Sequence, residues 1–245
     1  GFFKYNLQMN GKQEMGTIIF VNNRMCVECI SFCTKMCHNV RKRTGRKEMY
    51  NMNKIYDKVK ECYKQVNQMT DFKPQIALVL GSGLGDYAEK IKIETVIDYH
   101  EIKGFPVSTV QGHKGRFVLG YVEDIPVMIM EGRVHYYEGY SMSDVVLPIR
   151  LMKMMGAEIL FLTNASGGIH RGFEAGDFMM ITDQIASFVP SPLIGPNIEE
   201  FGERFPDMSH IYDEELQEVI RKSADHLQID LKEGTYIQLP GPNFE

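Results

Sequence analysis

A run of apolar residues that leads directly into glycines is the feature that most limits how this chain can fold. Residues 76–80, IALVL, are continuous and apolar, as in a strand that is buried on both faces of a sheet. Gly81, Gly83 and Gly85 follow at once, with Ser82 between the first two. Small residues let backbone amides approach an anion closely. The stretch therefore predicts a strand whose carboxyl end carries an anion-binding loop.

Strand and helix patterns alternate along the rest of the chain. Apolar residues at spacings of three to four predict a helix over 52–69. Residues 143–156, with Pro148 as a local fault, and 213–228 are also predicted to be helical, whereas 86–106 predicts only a short helix before a polar segment. We expect an α/β fold, a single domain with a mixed central sheet flanked by helices. The other predicted strands are 116–122, 125–130, 158–164, 177–183 and 234–240.

Residues 1–50 differ in composition from the rest of the chain. They contain nine basic and three acidic residues, a charge of +6, whereas the whole chain carries −5. The remainder is therefore acidic, which disfavours a nucleic-acid partner. Because helical periodicity begins near residue 51, we expect 1–50 to be an extension outside the fold and 51–245 to form the functional domain. No apolar run approaches about 18 residues, so no membrane span is predicted.

Four of the five cysteines lie within twelve residues of that extension, at Cys26, Cys29, Cys33 and Cys37. Their spacing is compatible with zinc or iron–sulfur ligation but matches no common pattern, so we expect no metal. A small metal-binding module fused to the main body is the alternative. After Cys62 the chain contains no cysteine, so disulfides do not stabilise that part. This usage is typical of the reducing cytoplasm, where we expect the protein to reside.

The glycine loop itself does not fit the two common nucleotide-binding patterns. A dinucleotide fold requires G-x-G-x-x-G at the start of a helix, and here the third glycine comes one position early, as GSGLG. The P-loop requires a Gly-Lys-Ser/Thr ending, which is absent from this loop. A small free anion remains the better candidate for the ligand.

Side chains after the other predicted strands support a phosphate site. In open α/β sheets the ligand lies beyond the carboxyl ends of the strands. Arg133 follows 125–130 and can bind phosphate through two parallel hydrogen bonds, together with the Ser82 hydroxyl and amides near Ala165. His113 and His135 can add hydrogen bonds that depend on ionisation. Arg133, His135 and Tyr137 alternate, so they would share one face if this segment were extended.

A second type of ligand is indicated by the end of the sequence. Glu245 follows the last predicted strand, in GPNFE, and its carboxylate can accept a hydrogen bond from a ring N–H of a base. A base acceptor beside a phosphate site suggests phosphate attacking a bound nucleoside.

Six motifs occur in order along the chain: GSGLG, STVQGHKGR, GRVHYYEGYS, TNASGGI, GPNIEEFGERFPDMS and GPNFE. Through them, from about Met52 to Glu245, the chain resembles the trimeric, low-molecular-mass branch of the purine nucleoside phosphorylases. This resemblance implies reversible phosphorolysis of 6-oxopurine (deoxy)ribonucleosides to the base and (deoxy)ribose 1-phosphate in purine salvage. Phosphate would be a co-substrate, and no metal or organic cofactor would be needed.

The resemblance also implies a role for each matching residue. Tyr137 matches the residue on the ribose side, and Phe205 matches a phenylalanine lent to the neighbouring subunit's site, which implies a homotrimer. Glu245 and His135 match the catalytic positions. The phosphate ligands would be Ser82, His113, Arg133, His135 and Ala165, and the purine would lie against Phe244 and Glu245.

Two alternatives to this activity stay open from the sequence. The related methylthioadenosine phosphorylases would release adenine rather than hypoxanthine. The family's chains also continue past GPNFE, so we expect a C-terminally incomplete domain. A catalytically silent chain that only binds phosphate or a partner trimer is therefore a further hypothesis.

Overall fold

In the part of the chain that the structure describes, eight strands form one mixed sheet, in the order β3-β4-β5-β2-β6-β1-β7-β8. The structure is a computed structural model that describes residues 15–21, 45–109 and 114–242. Within these ranges, no helix has the length and apolarity to cross a bilayer. The strands are β1 (Met15–Val21), β2 (Ile76–Leu80), β3 (Lys92–Asp98), β4 (Arg116–Val122), β5 (Ile125–Glu131), β6 (Ile159–Ser166), β7 (Phe178–Ile185) and β8 (Leu231–Ile237).

The centre of the sheet is parallel and its β3–β4–β5 side is antiparallel. Strand β2 pairs in parallel with β5 and with β6. Strands β3, β4 and β5 are successively antiparallel. The predicted α/β class with a mixed sheet is thus confirmed.

Among the described residues, four α-helices accompany the sheet, and two of them replace the single helix predicted over 143–156. They are α1 (Gly45–Met69), α2 (Met142–Val145), α3 (Leu147–Met155) and α4 (Glu214–Leu227). The predicted helix over 143–156 is divided at Val146, because Pro148 lies in the first turn of α3, where a missing N–H is tolerated. Gly156, in the left-handed conformation, ends α3.

The prediction for 86–106 was wrong in one respect. A short 3₁₀ turn (Gly85–Glu89) is present, but the following segment forms the edge strand β3. Ile97 is buried, whereas Ile93 and Val96 are 45% and 43% exposed. A register shift between Ile93 and Thr95 interrupts the apolar alternation that identifies a strand from sequence.

The structure describes two parts of residues 1–50, namely strand β1 and the start of helix α1. Strand β1 lies between β6 and β7, antiparallel to the first and parallel to the second. Its sequence, MGTIIFV, is rich in β-branched residues, which favour strands. Helix α1 begins at Gly45 rather than near residue 52. The domain boundary at residue 51 stays a prediction, although β1 pairs within the sheet.

The apolar core has a layer on each face of the sheet. Helices α1 and α3 cover one face, where Met128 and Met130 of β5 are buried. Val127 and Ile129 alternate with them and face the other layer, which includes Ala88 from the 3₁₀ turn after β2. The segment that follows the first glycines is thereby held against the sheet.

Replacing Met152 of α3 by alanine tests the importance of the larger layer. Met152 is fully buried in that layer, so Met152→Ala should lower the free energy of unfolding by about 2–5 kcal/mol. Met69, at the end of α1, is 42% exposed, so Met69→Ala should change the free energy of unfolding by less than about 0.5 kcal/mol. Urea denaturation followed by circular dichroism measures both, and equal losses would contradict this description of the core.

Candidate active site

The carboxyl ends of three adjacent parallel strands bring together the loops that the sequence singled out. Strands β5, β2 and β6 are neighbours and run in the same direction. The glycine loop follows β2, the Arg133 segment follows β5, and residues 163–166 form the last part of β6. Polar groups from three sequence-distant segments therefore meet at one edge of the sheet, where α/β proteins bind ligands.

Buried Thr163 of β6 connects the three segments through hydrogen bonds. Its hydroxyl accepts from the Gly81 N–H at 2.8 Å and donates to the Val79 carbonyl at 2.9 Å. Its own carbonyl accepts from Nη1 of Arg133 at 2.9 Å. A Cβ at Gly81 would lie 2.6 Å from both Thr163 O and Asn164 Cα, so only glycine permits this close approach. Sequence reasoning did not identify Thr163.

Arg133 provides the positive charge of this edge. Burial lowers the pKa of its guanidinium, while the nearby Tyr236 and Tyr137 act in the opposite direction. An arginine this basic remains a cation at neutral pH. The hydrogen bond to the Thr163 carbonyl uses one N–H group of the guanidinium and orients its plane. The other N–H groups of the guanidinium therefore also lie at the strand ends.

His135 is fixed by a carboxylate three residues away. Glu138 accepts from the His135 N–H at 2.7 Å and contacts His135 Nδ1 at 2.8 Å. Because an ionised carboxylate only accepts, Nδ1 carries a proton. Nε2 is then an acceptor in the neutral ring and a donor in the charged ring, which suits a phosphate that changes its ionisation state.

Glu138 is a site residue that sequence reasoning missed. Its side chain is 2% exposed and also accepts from the Thr109 N–H and hydroxyl, at 2.6 and 2.8 Å. Burial alone would raise the pKa of Glu138, but these bonds and those from His135 lower it to about 2. Its position three residues after His135 was the available signal, since such a spacing permits contact within one turn.

The tyrosine of the same segment is placed differently from the prediction. Residues Tyr136–Glu138 form a 3₁₀ turn, so the extended alternation of 133, 135 and 137 was wrong beyond His135. The Tyr137 ring nevertheless stacks on the His135 ring, with centroids 4.8 Å apart and planes 13° apart. Tyr137 is 43% exposed and so offers a ring face at the rim of the site.

Ser82 and Ala165 lie at two strand ends of this edge. Ser82 is exposed, directly after Gly81. Ala165 is half-buried near the end of β6 and lies opposite Gly16 of β1 in the strand register. Their predicted roles as phosphate ligands stay predictions.

Phe205 lies on an exposed loop. It is 82% exposed, and its ring lies beside Arg204, whose guanidinium carbon is 5.7 Å from the ring centroid. Such exposure of an aromatic ring is compatible with the predicted contribution to a neighbouring subunit, which stays a prediction.

Three predicted site residues, His113, Phe244 and Glu245, lie outside the described residues, as do the four clustered cysteines. Within the described part of the chain, no group of three or more potential ligands from His, Cys, Asp and Glu is placed to hold a metal ion.

The mixed sheet defines an α/β protein, and its adjoining strand ends carry a glycine loop, an arginine and a histidine bound to a carboxylate. Residues 75–245 match the model of the Phosphorylase superfamily. The purine nucleoside phosphorylase 1 of Bacillus subtilis is 46% identical over 189 residues, which cover 77% of this chain and 70% of that one. The Geobacillus stearothermophilus enzyme of the same name is 47% identical over 172 residues, covering 70% and 63%.

A solved structure agrees with these relatives. Isoform 2 of purine nucleoside phosphorylase from Schistosoma mansoni, in complex with cytosine and ribose-1-phosphate, is 39% identical and has a TM-score of 0.71. The match covers 78% of this chain and 68% of that one. The chain belongs to the purine nucleoside phosphorylases of the phosphorylase superfamily. It spans about two thirds of the length of these relatives.

Replacing Glu138 by glutamine should make stability depend on pH in a defined direction. The pKa of Glu138 falls from 4.5 to about 2 on folding, so the carboxylate stabilises the protein fully above pH 4.5 and loses this effect as the pH falls toward 2. The free energy of unfolding of the wild type should exceed that of Glu138→Gln by on the order of 3 kcal/mol at pH 6. At pH 3 the difference should be much smaller. Urea denaturation across this range measures the difference.

The matched control is Glu214→Gln, since the Glu214 side chain is 73% exposed beside His210. An exposed ion pair contributes less than about 1 kcal/mol, so this variant should follow the wild type at every pH. A stability difference at Glu138 that does not vary between pH 3 and pH 6 would contradict the ionised, hydrogen-bonded carboxylate described here.

Proposed function

We propose that this chain binds phosphate and a purine nucleoside and catalyses reversible phosphorolysis to the free base and (deoxy)ribose 1-phosphate. The observation that carries the proposal is the arrangement of Arg133 and His135 beside the glycine loop, oriented by Thr163 and Glu138. The relatives' names and the ribose-1-phosphate in the Schistosoma mansoni structure support the same reaction.

Phosphate binding is proposed for the edge formed by β2, β5 and β6. The Arg133 guanidinium would bind two phosphate oxygens, and Ser82 and the Ala165 amide would donate to the others. His135 would contact the anion through Nε2, because Nδ1 is turned toward Glu138. His113, directly before Lys114, is the further proposed ligand.

The proposed reaction transfers a glycosyl group without a covalent enzyme intermediate. A phosphate oxygen forms a bond to C1′ as the bond from C1′ to the purine nitrogen breaks, and the electron pair leaves with the purine. Bound phosphate stabilises the cationic ribose, and the purine takes up a proton at N7. Positioning and fixed charges supply the rate, so the reaction as written requires phosphate as co-substrate and neither metal nor organic cofactor.

The nucleoside side of the site is proposed around Tyr137. Its exposed ring face would contact the ribose, while Phe244 would pack on the purine. Glu245 would accept from a ring N–H, which favours 6-oxopurines because their N1 carries hydrogen. Phe205 would complete the site of a neighbouring subunit, which makes a homotrimer the proposed assembly. A cytoplasmic location in purine salvage is part of the same proposal.

Base release from inosine tests the proposed reaction. The 245-residue chain should release hypoxanthine only when phosphate is present, as measured by the coupled oxidation of hypoxanthine. Release without phosphate would contradict phosphorolysis and indicate hydrolysis. Adenine release from methylthioadenosine, in the absence of activity on inosine, would instead support the methylthioadenosine phosphorylase alternative.

Replacing Arg133 tests the phosphate side of the site separately from turnover. Arg133→Met should weaken phosphate binding about 10- to 100-fold, since a charge-assisted hydrogen bond contributes roughly 1.5–3 kcal/mol. Arg133→Lys should recover only part of the affinity, because lysine lacks the planar fork. Isothermal titration with phosphate measures both variants.

The matched control is Arg221→Met. Arg221 lies on α4 and binds Glu233 of β8 at 2.7 Å. This variant should bind phosphate as the wild type does, and equal losses from the two methionine variants would argue against a specific role for Arg133.

A further inference from the structure

Four charged side chains, Glu89, Lys114, Arg116 and Glu131, form a cluster beside the proposed phosphate-binding segments in the sequence. Lys114 Nζ lies 2.5 Å from Glu89 Oε1 and 3.0 Å from Glu131 Oε1. Arg116 Nε donates to Glu131 Oε2 at 2.7 Å. Two carboxylates and two cations alternate, so the cluster carries no net charge of its own.

Glu131 is the buried centre of this cluster. Its side chain is 4% exposed, whereas Glu89 and Lys114 are 58% and 40% exposed. The Lys114 contact is electrostatic, because Glu131 Oε1 lacks hydrogen-bond geometry with any partner. Burial of a carboxylate is costly, and an apolar residue of similar size is often as stable or more stable at such a position. The burial of Glu131 is therefore not explained by stability alone.

The cluster joins the three segments that carry proposed phosphate ligands. Glu89 ends the 3₁₀ turn that follows the Ser82 loop, Lys114 directly follows His113, and Glu131 ends β5 two residues before Arg133.

Backbone contacts reinforce the same junction. The Gly115 N–H donates to the Glu131 carbonyl at 3.0 Å, and the Tyr99 hydroxyl donates to the Gly132 carbonyl at 2.9 Å. A Cβ at Gly85 would lie 3.5 Å from Glu131 Oε1, which is ordinary van der Waals distance, so the start of the turn packs against the carboxylate.

We propose that Glu131 is a positioning residue for phosphate binding, which aligns the segments of Ser82 and Arg133 with the start of β4 through Lys114 and Arg116. The inference rests on the proposed function. It makes a distinctive prediction, because Glu131 is an anion near an anion site. Charge alone predicts that Glu131→Gln binds phosphate more tightly, whereas the positioning role predicts weaker binding.

Phosphate titration of the full chain by calorimetry tests the sign of this effect. Glu131→Gln should bind phosphate about tenfold more weakly than the wild type. The KM for phosphate should rise in parallel, while kcat and the KM for inosine stay within about twofold. If Glu131 had a merely structural role, Glu131→Gln would lower the melting temperature, and the KM for phosphate would not rise selectively.

Glu89→Gln provides a second variant that should fold like the wild type, because the Glu89 side chain is exposed. This substitution removes the exposed carboxylate that binds Lys114 and should weaken phosphate binding about threefold. Loss of a negative charge alone would instead tighten phosphate binding. The control is Glu233→Gln, which removes a carboxylate bound to Arg221 and should leave phosphate affinity unchanged.

The outcomes separate this inference from the proposed function. Equal or tighter phosphate binding by Glu131→Gln and Glu89→Gln, with a wild type that binds phosphate, would overturn the positioning role alone. A wild-type chain that does not bind phosphate would overturn the proposed function and this inference with it.

Discussion

The hydrogen bonds of Thr163 are the interactions on which the candidate site depends. One buried hydroxyl accepts from the loop after β2 and donates back to that strand, while the carbonyl of the same residue orients Arg133 after β5. These contacts are possible only because β5, β2 and β6 run in parallel and end at the same edge. Gly81 permits the close approach, so the geometry of the candidate site is a consequence of strand packing as much as of its polar residues.

Carboxylates are more prominent around this site than an anion-binding role would suggest. Glu138 and Glu131 are both buried near Arg133, yet each is enclosed by donors: Glu138 by backbone and side-chain N–H groups, and Glu131 by two cations. Their negative charge holds neighbouring segments together through these donors and cations. A buried carboxylate with charged or N–H partners orients them more strictly than a neutral group, because charge-assisted hydrogen bonds are short and strong.

The strands that carry the site could be predicted from sequence because they are short, apolar and followed by glycine or polar residues. β2, β5 and β6 were placed within one or two residues at each end. β3 was missed because a register shift disturbs its alternation, and β1 because its residues lie in a basic segment without clear periodicity. Thr163 could not be found as a hydrogen-bonding partner, since its role depends on a contact between residues 84 positions apart. Glu138 was missed although it lies only three residues after His135.

The strand order has a consequence for how the chain acquires its structure. β2 pairs with β5 on one side and with β6 on the other, so its second edge is completed only by residues some 80 positions later. β1 is paired by β6 and β7, which follow it by well over a hundred residues. Pairing between distant segments slows folding. Until β6 has been synthesised, the apolar β2 has an open edge, and an unpaired strand edge of this kind favours aggregation.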